Sequence, residues 1–241
     1  MNDDHEPITV LNKRVLLHQP ANGFRTSLDS VMLAAACTVK SGQSVLDLGC
    51  GVGSAGLCVA ARVKGIVLSG IDIQADHVAL AEKNAALNTI AATFACADIR
   101  DYEGAPQDHV IANPPFSEAG KHTPSPSSSK ALARGHIEED LNLKDWIDAG
   151  FRNLKNGGSL NVIHMAGETH TIIQALGKRF GAVEIFPLWP RAGVPAKRVI
   201  LRAIRNRKTP TVIHPGLVLH EADGAYTQEA ERVLRDGEGF L

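Results

Sequence analysis

Short apolar runs alternate along this chain with longer segments in which apolar residues recur every three or four positions. The short runs are typical of buried strands, and the longer spacing is typical of helices packed on a sheet. The pattern predicts strands at 44–48, 65–71, 92–97, 109–112 and 159–164, and helices at 54–62, 74–88, 143–154 and 168–180. Such alternation predicts an α/β fold whose sheet is mostly parallel, covered on both faces and doubly wound.

Two further apolar segments, 182–188 and 197–204, have no helix between them, so we expect them to pair antiparallel and to complete a seven-stranded sheet. Before the first strand, 9–11 and 14–17 predict a β-hairpin, and 28–39 predicts a helix. The N-terminal part of the predicted fold is therefore a hairpin and a helix.

The remaining segments carry weaker patterns. A polar, serine- and proline-rich stretch at 117–136 predicts a mobile loop, and 226–234 predicts a short terminal helix. We expect a single domain over 1–241, divided into a lead-in (1–40), a core (41–207) and a C-terminal tail (208–241).

The residues best suited to chemistry follow the ends of the predicted strands. Ligands of doubly wound sheets bind outside the carboxyl ends of the strands, so we expect one site there. The candidates are Gly49, Gly51 and Gly53 after the first strand, Asp72 after the second, Asp98 after the third, and Asn113, Pro114, Pro115 and Phe116 after the fourth.

The sequence at 113–116 combines an amide, two prolines and an aromatic ring. Successive prolines exclude a helix and remove two N–H donors, so the chain must turn there. The Asn113 amide and the neighbouring carbonyl can accept hydrogen bonds from a flat amino group, and the ring of Phe116 can cover its face. A proline-rich turn whose Phe116 fills the core is the alternative.

The run 51–56 (Gly-x-Gly-x-x-Gly) formally matches the dinucleotide fingerprint, with Asp72 about 20 residues further on. The match begins late, because the strand has already ended at Gly49, and the carboxylate of Asp47 would repel a pyrophosphate. Asp47 instead suits a ligand that carries positive charge. Asp72 is placed to accept from ribose hydroxyls, and Asp98 from an adenine amino group.

Composition narrows the class of protein. Apolar residues make up 44% and charged residues 21% of the 241 residues, which is ordinary for a globular protein. No apolar run approaches the roughly 18 residues of a membrane span, and the start is acidic, unlike a signal peptide. The four cysteines form no CxxC pair and the ten histidines no metal spacing, so we expect a cytoplasmic protein with reduced thiols and no metal site.

Basic residues are concentrated near the C-terminus, although the net charge is only −1. The stretch 191–208 contains seven basic residues and no acid. A solvated strand face is one interpretation, and a surface that contacts phosphates is the other.

The run 47–53 (Asp-Leu-Gly-Cys-Gly-Val-Gly), with Asp72, Asp98 and 113–116, resembles class I S-adenosylmethionine-dependent methyltransferases that act on amino groups. Further similarity, at 19–20, 24–29 and 133–134, is to the family of tRNA1(Val) adenine-37 N6-methyltransferases. The resemblance covers residues from about 10 to about 235.

The resemblance implies transfer of a methyl group to N6 of an adenine in tRNA. It implies that the adenine leaves its stack, that Asn113 and the Pro114 carbonyl accept from its N6 hydrogens, and that Phe116 stacks on it, with Pro115 part of the same motif. The implied cofactor, S-adenosylmethionine, would contact Ser27, Asp29, Asp47, Gly49, Gly51, Gly53, Asp72, Ile73, Asp98, Ile99 and Asn113. The implied RNA contacts are Lys121, Lys130, Arg134, Arg191, Lys197 and Arg198.

Other functions remain open at the level of sequence. With the same cofactor, the acceptor could be a guanine N2 of RNA or a protein glutamine. From other classes, a nicotinamide-dependent oxidoreductase would use the run 51–56, and a non-catalytic RNA-binding module would keep only the fold. The sequence favours RNA over a peptide through the basic stretch 191–208, and it leaves the oligomeric state open.

Overall fold

The structure, a computed structural model, describes residues 6–20, 26–116 and 141–239. Within these ranges, eleven strands form a nine-stranded sheet and a separate two-stranded hairpin. The strands are β1 (Ile8–Val10), β2 (Val15–Leu17), β3 (Ser44–Leu48), β4 (Val67–Asp72), β5 (Ala92–Cys96), β6 (Gln107–Ala112), β7 (Leu154–Met165), β8 (Phe180–Arg191), β9 (Arg198–Arg205), β10 (Val212–Ile213) and β11 (Leu217–His220).

Helices connect the parallel strands and follow the last one. They are α1 (Leu28–Ala36), α2 (Ser54–Arg62), α3 (Ala75–Leu87), α4 (Leu143–Asn153), α5 (Thr169–Leu176) and α6 (Gln228–Glu231), the last continued by a π-helical turn over Arg232–Asp236. None of the helices in the described ranges is long and apolar enough to cross a membrane.

The large sheet has the order β10-β8-β9-β7-β6-β3-β4-β5, with β11 also paired to β8. Strands β3 to β7 pair in parallel, whereas β9 runs antiparallel to both β7 and β8. The chain builds β3, β4 and β5 outward, then returns to place β6 on the other side of β3. The doubly wound, mostly parallel α/β fold, the antiparallel hairpin and the antiparallel pairing near the end of the chain are therefore confirmed.

The predicted number of strands was too small. Seven were expected in the main sheet, and the described residues contribute nine. The two additional strands, β10 and β11, lie in the predicted tail and follow one another along β8, parallel to it. Their signal was weak because β10 has only two residues, both exposed, and Pro215 and Gly216 separate it from β11.

Two apolar clusters cover the two faces of the sheet. On one face, α1, α2 and the hairpin pack with β11 and the residues that follow it. On the other face, α4 and α5 pack against β3, β6, β7 and β9. Because both faces are covered, the functional groups have one open direction, the edge at which the parallel strands end.

Candidate active site

A cleft lies at the carboxyl ends of the parallel strands. It is centred on β3, between its neighbours β4 and β6. The space between its walls, with the open side included, is about 1100 Å³. Residues after all four predicted strand ends line it, among them Gly49, Asp72, Asp98 and Asn113. The structure therefore brings together the groups that the sequence placed at separate strand ends.

The turn after β3 contains two glycines with positive φ whose side-chain positions differ: one is blocked by a neighbour and the other is open. Gly49 has φ +62°, and a Cβ there would lie 2.4 Å from Cη2 of Trp146 on α4. Gly51 has φ +54°, but its Cβ position has no heavy atom of the described residues within 4 Å. Gly53, with φ +84°, is the N-cap of α2 and is not part of the cleft wall. The absence of a side chain at Gly49 makes room for Trp146, and its absence at Gly51 leaves the backbone accessible to a ligand in the cleft.

Asp47 is a buried carboxylate beneath this turn. It is 2% exposed, and its Oδ2 accepts from the backbone N–H of Gly56 at 2.9 Å. Burial raises the pKa of the Asp47 carboxyl to about 7, and nearby Asp72 adds to the rise, against the effect of the Gly56 N–H. A cation bound in the cleft would favour the ionised form.

Asp72 is held by the backbone. Its Oδ2 accepts from Gly51 N–H at 2.9 Å and its Oδ1 from Gln74 N–H at 2.8 Å, while Nδ1 of His77 lies 3.6 Å from Oδ1. A carboxylate has about four lone-pair directions, so acceptor capacity remains for ligand hydroxyls. Asp72 and Ile73 both line the cleft.

Asp98 and Ile99 follow β5, the neighbour of β4, and also line the cleft. The guanidinium of Arg100 donates to Asp98, with Nη2 2.5 Å from Oδ2, and this contact lowers the pKa of the Asp98 carboxyl. Asp98 is thus ionised and acts as an acceptor, but it shares its oxygens with Arg100.

Asn113 has an unsatisfied acceptor in this wall. Its Oδ1 is buried and has no hydrogen-bond partner among the described residues. Leaving a buried acceptor unpaired costs about 1–3 kcal/mol, so such groups call for an explanation. Pro115 also lines the cleft, while Pro114 is buried behind it.

Phe116 lies beside the cleft, in contact with two cationic or titratable side chains. The guanidinium carbon of Arg198 lies 4.5 Å from the ring centroid, and the ring of His164 lies 4.9 Å away at an interplanar angle of 86°. Burial lowers the pKa of His164, so its ring is neutral at neutral pH. Phe116 does not fill the main core.

The lead-in reaches the site differently from the prediction. Ser27 caps α1, accepting from Asp29 N–H at 3.3 Å, and neither residue is part of the cleft wall. Their neighbours Thr26 and Ser30 line the cleft instead. Asp29 binds Arg198, with Oδ2 3.2 Å from Nε.

Other wall residues were missed by sequence reasoning. Ser54 follows the last glycine of the turn directly, so its position next to the site could have been inferred. Trp146 gave no such signal, because a tryptophan on the apolar side of a helix reads as core.

The basic stretch divides between two edges of the sheet. The loop from Arg191 to Lys197 joins β8 to β9 at the edge that carries the cleft, and both of these side chains are exposed. Arg205 lies at the opposite end of β9, over the ring of Phe151. The predicted contacts Lys121, Lys130 and Arg134 lie outside the described residues.

No group of three or more histidine, cysteine or acidic side chains in the described ranges could hold a metal ion.

Comparison with known proteins adds to this geometry. Residues 25–187, more than half of the chain, match the family described as methyltransferase small domain. The tRNA1(Val) (adenine(37)-N6)-methyltransferase of Aeromonas hydrophila is 27% identical over 208 residues, covering 85% of this chain and 86% of the relative. The enzyme of the same name from Haemophilus influenzae is 26% identical over 236 residues, covering 93% and 95%.

Solved structures agree on the fold. A protein from Agrobacterium tumefaciens, described as a predicted O-methyltransferase, has a TM-score of 0.71 at 25% identity, over 88% of this chain and 98% of that one. The tRNA (m1A58) methyltransferase TrmI of Aquifex aeolicus has a TM-score of 0.56 at 13% identity, over 80% and 73%.

A doubly wound sheet with a glycine turn, two acids and an amide around one cleft is typical of enzymes that bind a nucleoside or nucleotide cofactor at the strand ends. The chain belongs to the methyltransferase small domain family, whose members transfer the methyl group of S-adenosylmethionine. The comparisons do not favour the nicotinamide oxidoreductase or the non-catalytic module.

Proposed function

We propose that the protein transfers a methyl group from S-adenosylmethionine to the exocyclic N6 of an adenine in tRNA. The names of the relatives, tRNA1(Val) (adenine(37)-N6)-methyltransferases, support this acceptor. The observation that carries the proposal is the buried, unpaired Oδ1 of Asn113 in the wall of the cleft. An amino group of a base would supply the missing donor.

The residues of the cleft fit the cofactor. The bare backbone at Gly51 admits a ligand close to the chain, and the Asp72 carboxylate retains acceptor capacity for ribose hydroxyls. Asp98, which follows the neighbouring strand β5, would accept from an adenine amino group. Asp47, buried beneath the turn, favours a ligand with positive charge. When bound, the cofactor supplies an electrophilic methyl group on a sulfonium.

The chain's own contribution to transfer is orientation and electrostatics. Asn113 Oδ1 would accept from the amino group and fix the direction of its nitrogen lone pair. The Pro114 carbonyl is our second proposed acceptor, and the ring of Phe116 would contact the base after it leaves its stack. This scheme assigns no acid–base side chain.

Contacts to the phosphates would come from exposed cations at the same edge. Arg191 ends β8 and Lys197 directly precedes β9, at the edge of the sheet that carries the cleft. Their charge would position tRNA without reading its sequence. An enzyme acting on tRNA would work in the cytoplasm.

The test is mass analysis of nucleosides from unmodified tRNA after incubation with the purified protein and S-adenosylmethionine. We expect N6-methyladenosine with the wild type and little with Asn113→Ala. A guanine-N2 product would replace the proposed acceptor. No methylation of any tRNA, with S-adenosylhomocysteine bound normally, would contradict the proposal.

A further inference from the structure

Two distant side chains contact the ring of Phe116, and a third holds one of them. The guanidinium of Arg198, at the start of β9, lies over the ring at 4.5 Å from its centroid. His164, near the end of β7, meets the ring nearly at right angles. Asp29, in the first turn of α1, accepts from Arg198 at 3.2 Å. The residue after the Asn-Pro-Pro turn is therefore held from outside its own segment.

The guanidinium in this cluster is fixed on two sides. Asp29 is only 6% exposed, and the Arg198 side chain is 28% exposed, so their ion pair is partly shielded from water. Nη1 of Arg198 also donates to the backbone carbonyl of Lys197 at 3.4 Å. A planar guanidinium can make these hydrogen bonds and still lie over an aromatic ring, which an ammonium does less well.

We infer that Arg198, held in place by Asp29, is a positioning residue that fixes the ring of Phe116 for the base entering the cleft. The inference rests on the proposed function and assigns new roles to both residues. The sequence had pointed to Arg198 as a phosphate contact and to Asp29 as a cofactor contact. In the structure Asp29 pairs with Arg198, the Arg198 guanidinium lies over Phe116, and Asp29 is not part of the cleft wall.

The position of the ring can be measured without any methylation assay. We would place 4-fluorophenylalanine at position 116 and record its fluorine NMR signal in the wild type, Arg198→Met, Arg198→Lys and Asp29→Asn. The matched control is Arg202→Met, which removes an arginine four residues along β9 that pairs with Glu184 at 2.8 Å.

We expect Arg198→Met and Asp29→Asn to shift or broaden the signal, Arg198→Lys to give a smaller change, and Arg202→Met to match the wild type. A signal unchanged in both Arg198→Met and Asp29→Asn would overturn the inference. Because this readout needs no substrate, it separates failure of the inference from failure of the proposed function.

Kinetics then distinguish positioning from phosphate binding. Asp29→Asn is the sharpest variant, because it keeps the charge of Arg198 and removes an acid. Loss of ring positioning should lower kcat/KM for tRNA roughly tenfold in Asp29→Asn and Arg198→Met, with S-adenosylhomocysteine affinity and the salt dependence of tRNA binding unchanged.

A phosphate contact gives the opposite pattern. Asp29→Asn would then bind tRNA as well as or better than the wild type, Arg198→Lys would be fully active, and Arg198→Met would reduce the salt slope by about one. That set of results would return Arg198 to the RNA interface and overturn the positioning role. If Arg198→Met does not fold, Asp29→Asn and Arg198→Lys still decide between the two.

Discussion

At the wall of the cleft, the indole of Trp146 fills the space that a side chain at position 49 would need, and Gly49 leaves that space open. A Cβ at Gly49 would lie 2.4 Å from Cη2 of Trp146, and Gly49 has φ +62°. The turn after β3 and the helix α4 are therefore packed so closely that no side chain fits between them, and both residues line the cleft. The shape of the cleft depends on this contact as well as on the glycines.

The contact predicts that two neighbouring glycine variants differ. Gly49→Ala combines a left-handed backbone with a steric clash, so we expect it to destabilise the fold by about 2–4 kcal/mol. Gly51→Ala has the same backbone strain but open space, so we expect a loss of about 1–2 kcal/mol and weaker cofactor binding.

Thermal unfolding and calorimetry with S-adenosylhomocysteine measure these two effects. The double variant Gly49→Ala, Trp146→Ala should lose less stability than the sum of its single variants, because removing the indole removes the clash. Strict additivity, or equal stability of the two glycine variants, would contradict the packing argument.

Asp47 predicts that cofactor affinity depends on pH. Its folded-state pKa of about 7 lies above the ordinary value of 3.8, so in the free protein the Asp47 contribution to stability is full at low pH and is lost progressively as pH rises from 3.8 through about 7. Binding of a cation favours the ionised carboxylate, so affinity for S-adenosylmethionine should rise by up to roughly tenfold between pH 6 and pH 8.

Asp47→Asn is the control for that titration. It should flatten the pH profile and bring affinity at pH 8 down toward the value at pH 6, as measured by calorimetry at each pH. A variant with the profile of the wild type would show that another group titrates in the cleft.

The sequence assigned candidate residues correctly to one cleft where a polar side chain or glycine directly followed a clear strand pattern. Gly49, Asp72, Asp98 and Asn113 could be assigned to one cleft because strand ends of a parallel sheet share an edge. The class of fold followed from the same alternation.

Contacts between distant segments could not be predicted in the same way. Arg198 and Asp29 are separated by 169 positions, and nothing in either local pattern links them. The contact of Gly49 with Trp146 depends on how α4 packs. Strands β10 and β11 were missed because they are short and carry no clear strand pattern. Pairing with β8 stabilises them, and that pairing is not visible in the local sequence.

The position of the loop between β8 and β9 predicts that charge reversal there weakens RNA binding, whereas the same reversal at the opposite end of β9 does not. Arg191→Glu with Lys197→Glu should weaken binding of all tRNAs and reduce the salt slope by about one or more, because phosphate contacts are lost. The matched control is Arg207→Glu with Lys208→Glu, the same charge change on exposed residues after the opposite end of β9.

Filter binding over a series of salt concentrations compares the two double variants. We expect the control pair to stay close to the wild type. Equal effects of both pairs would mean that net charge alone governs binding, and an unchanged slope in Arg191→Glu, Lys197→Glu would remove the loop from the interface.

Asn113 gives the sharpest prediction about catalysis. Its Oδ1 has no partner among the described residues, so Asn113→Ala removes no hydrogen bond that the folded chain makes to that atom and should leave stability nearly unchanged. Affinity for S-adenosylhomocysteine should also change little, because we assign the oxygen to the base. Methyl transfer should fall roughly 10²–10³-fold, or about 3–4 kcal/mol, as when one preorganised polar contact at a reacting centre is lost.

Two further variants separate acceptor chemistry from the shape of the turn. Asn113→Asp keeps acceptor oxygens at the same position, so it should retain more activity than Asn113→Ala. Phe116→Ala should lose activity through weaker retention of the base, since stacking contributes about 1–3 kcal/mol per base, whereas Phe116→Tyr keeps the ring and should be tolerated.

Tritium transfer from labelled cofactor to unmodified tRNA is the assay, with cofactor binding measured on the same preparations. If Asn113→Ala binds cofactor normally and methylates at the wild-type rate, the unpaired oxygen has no part in the reaction and residues 113–116 form only a turn.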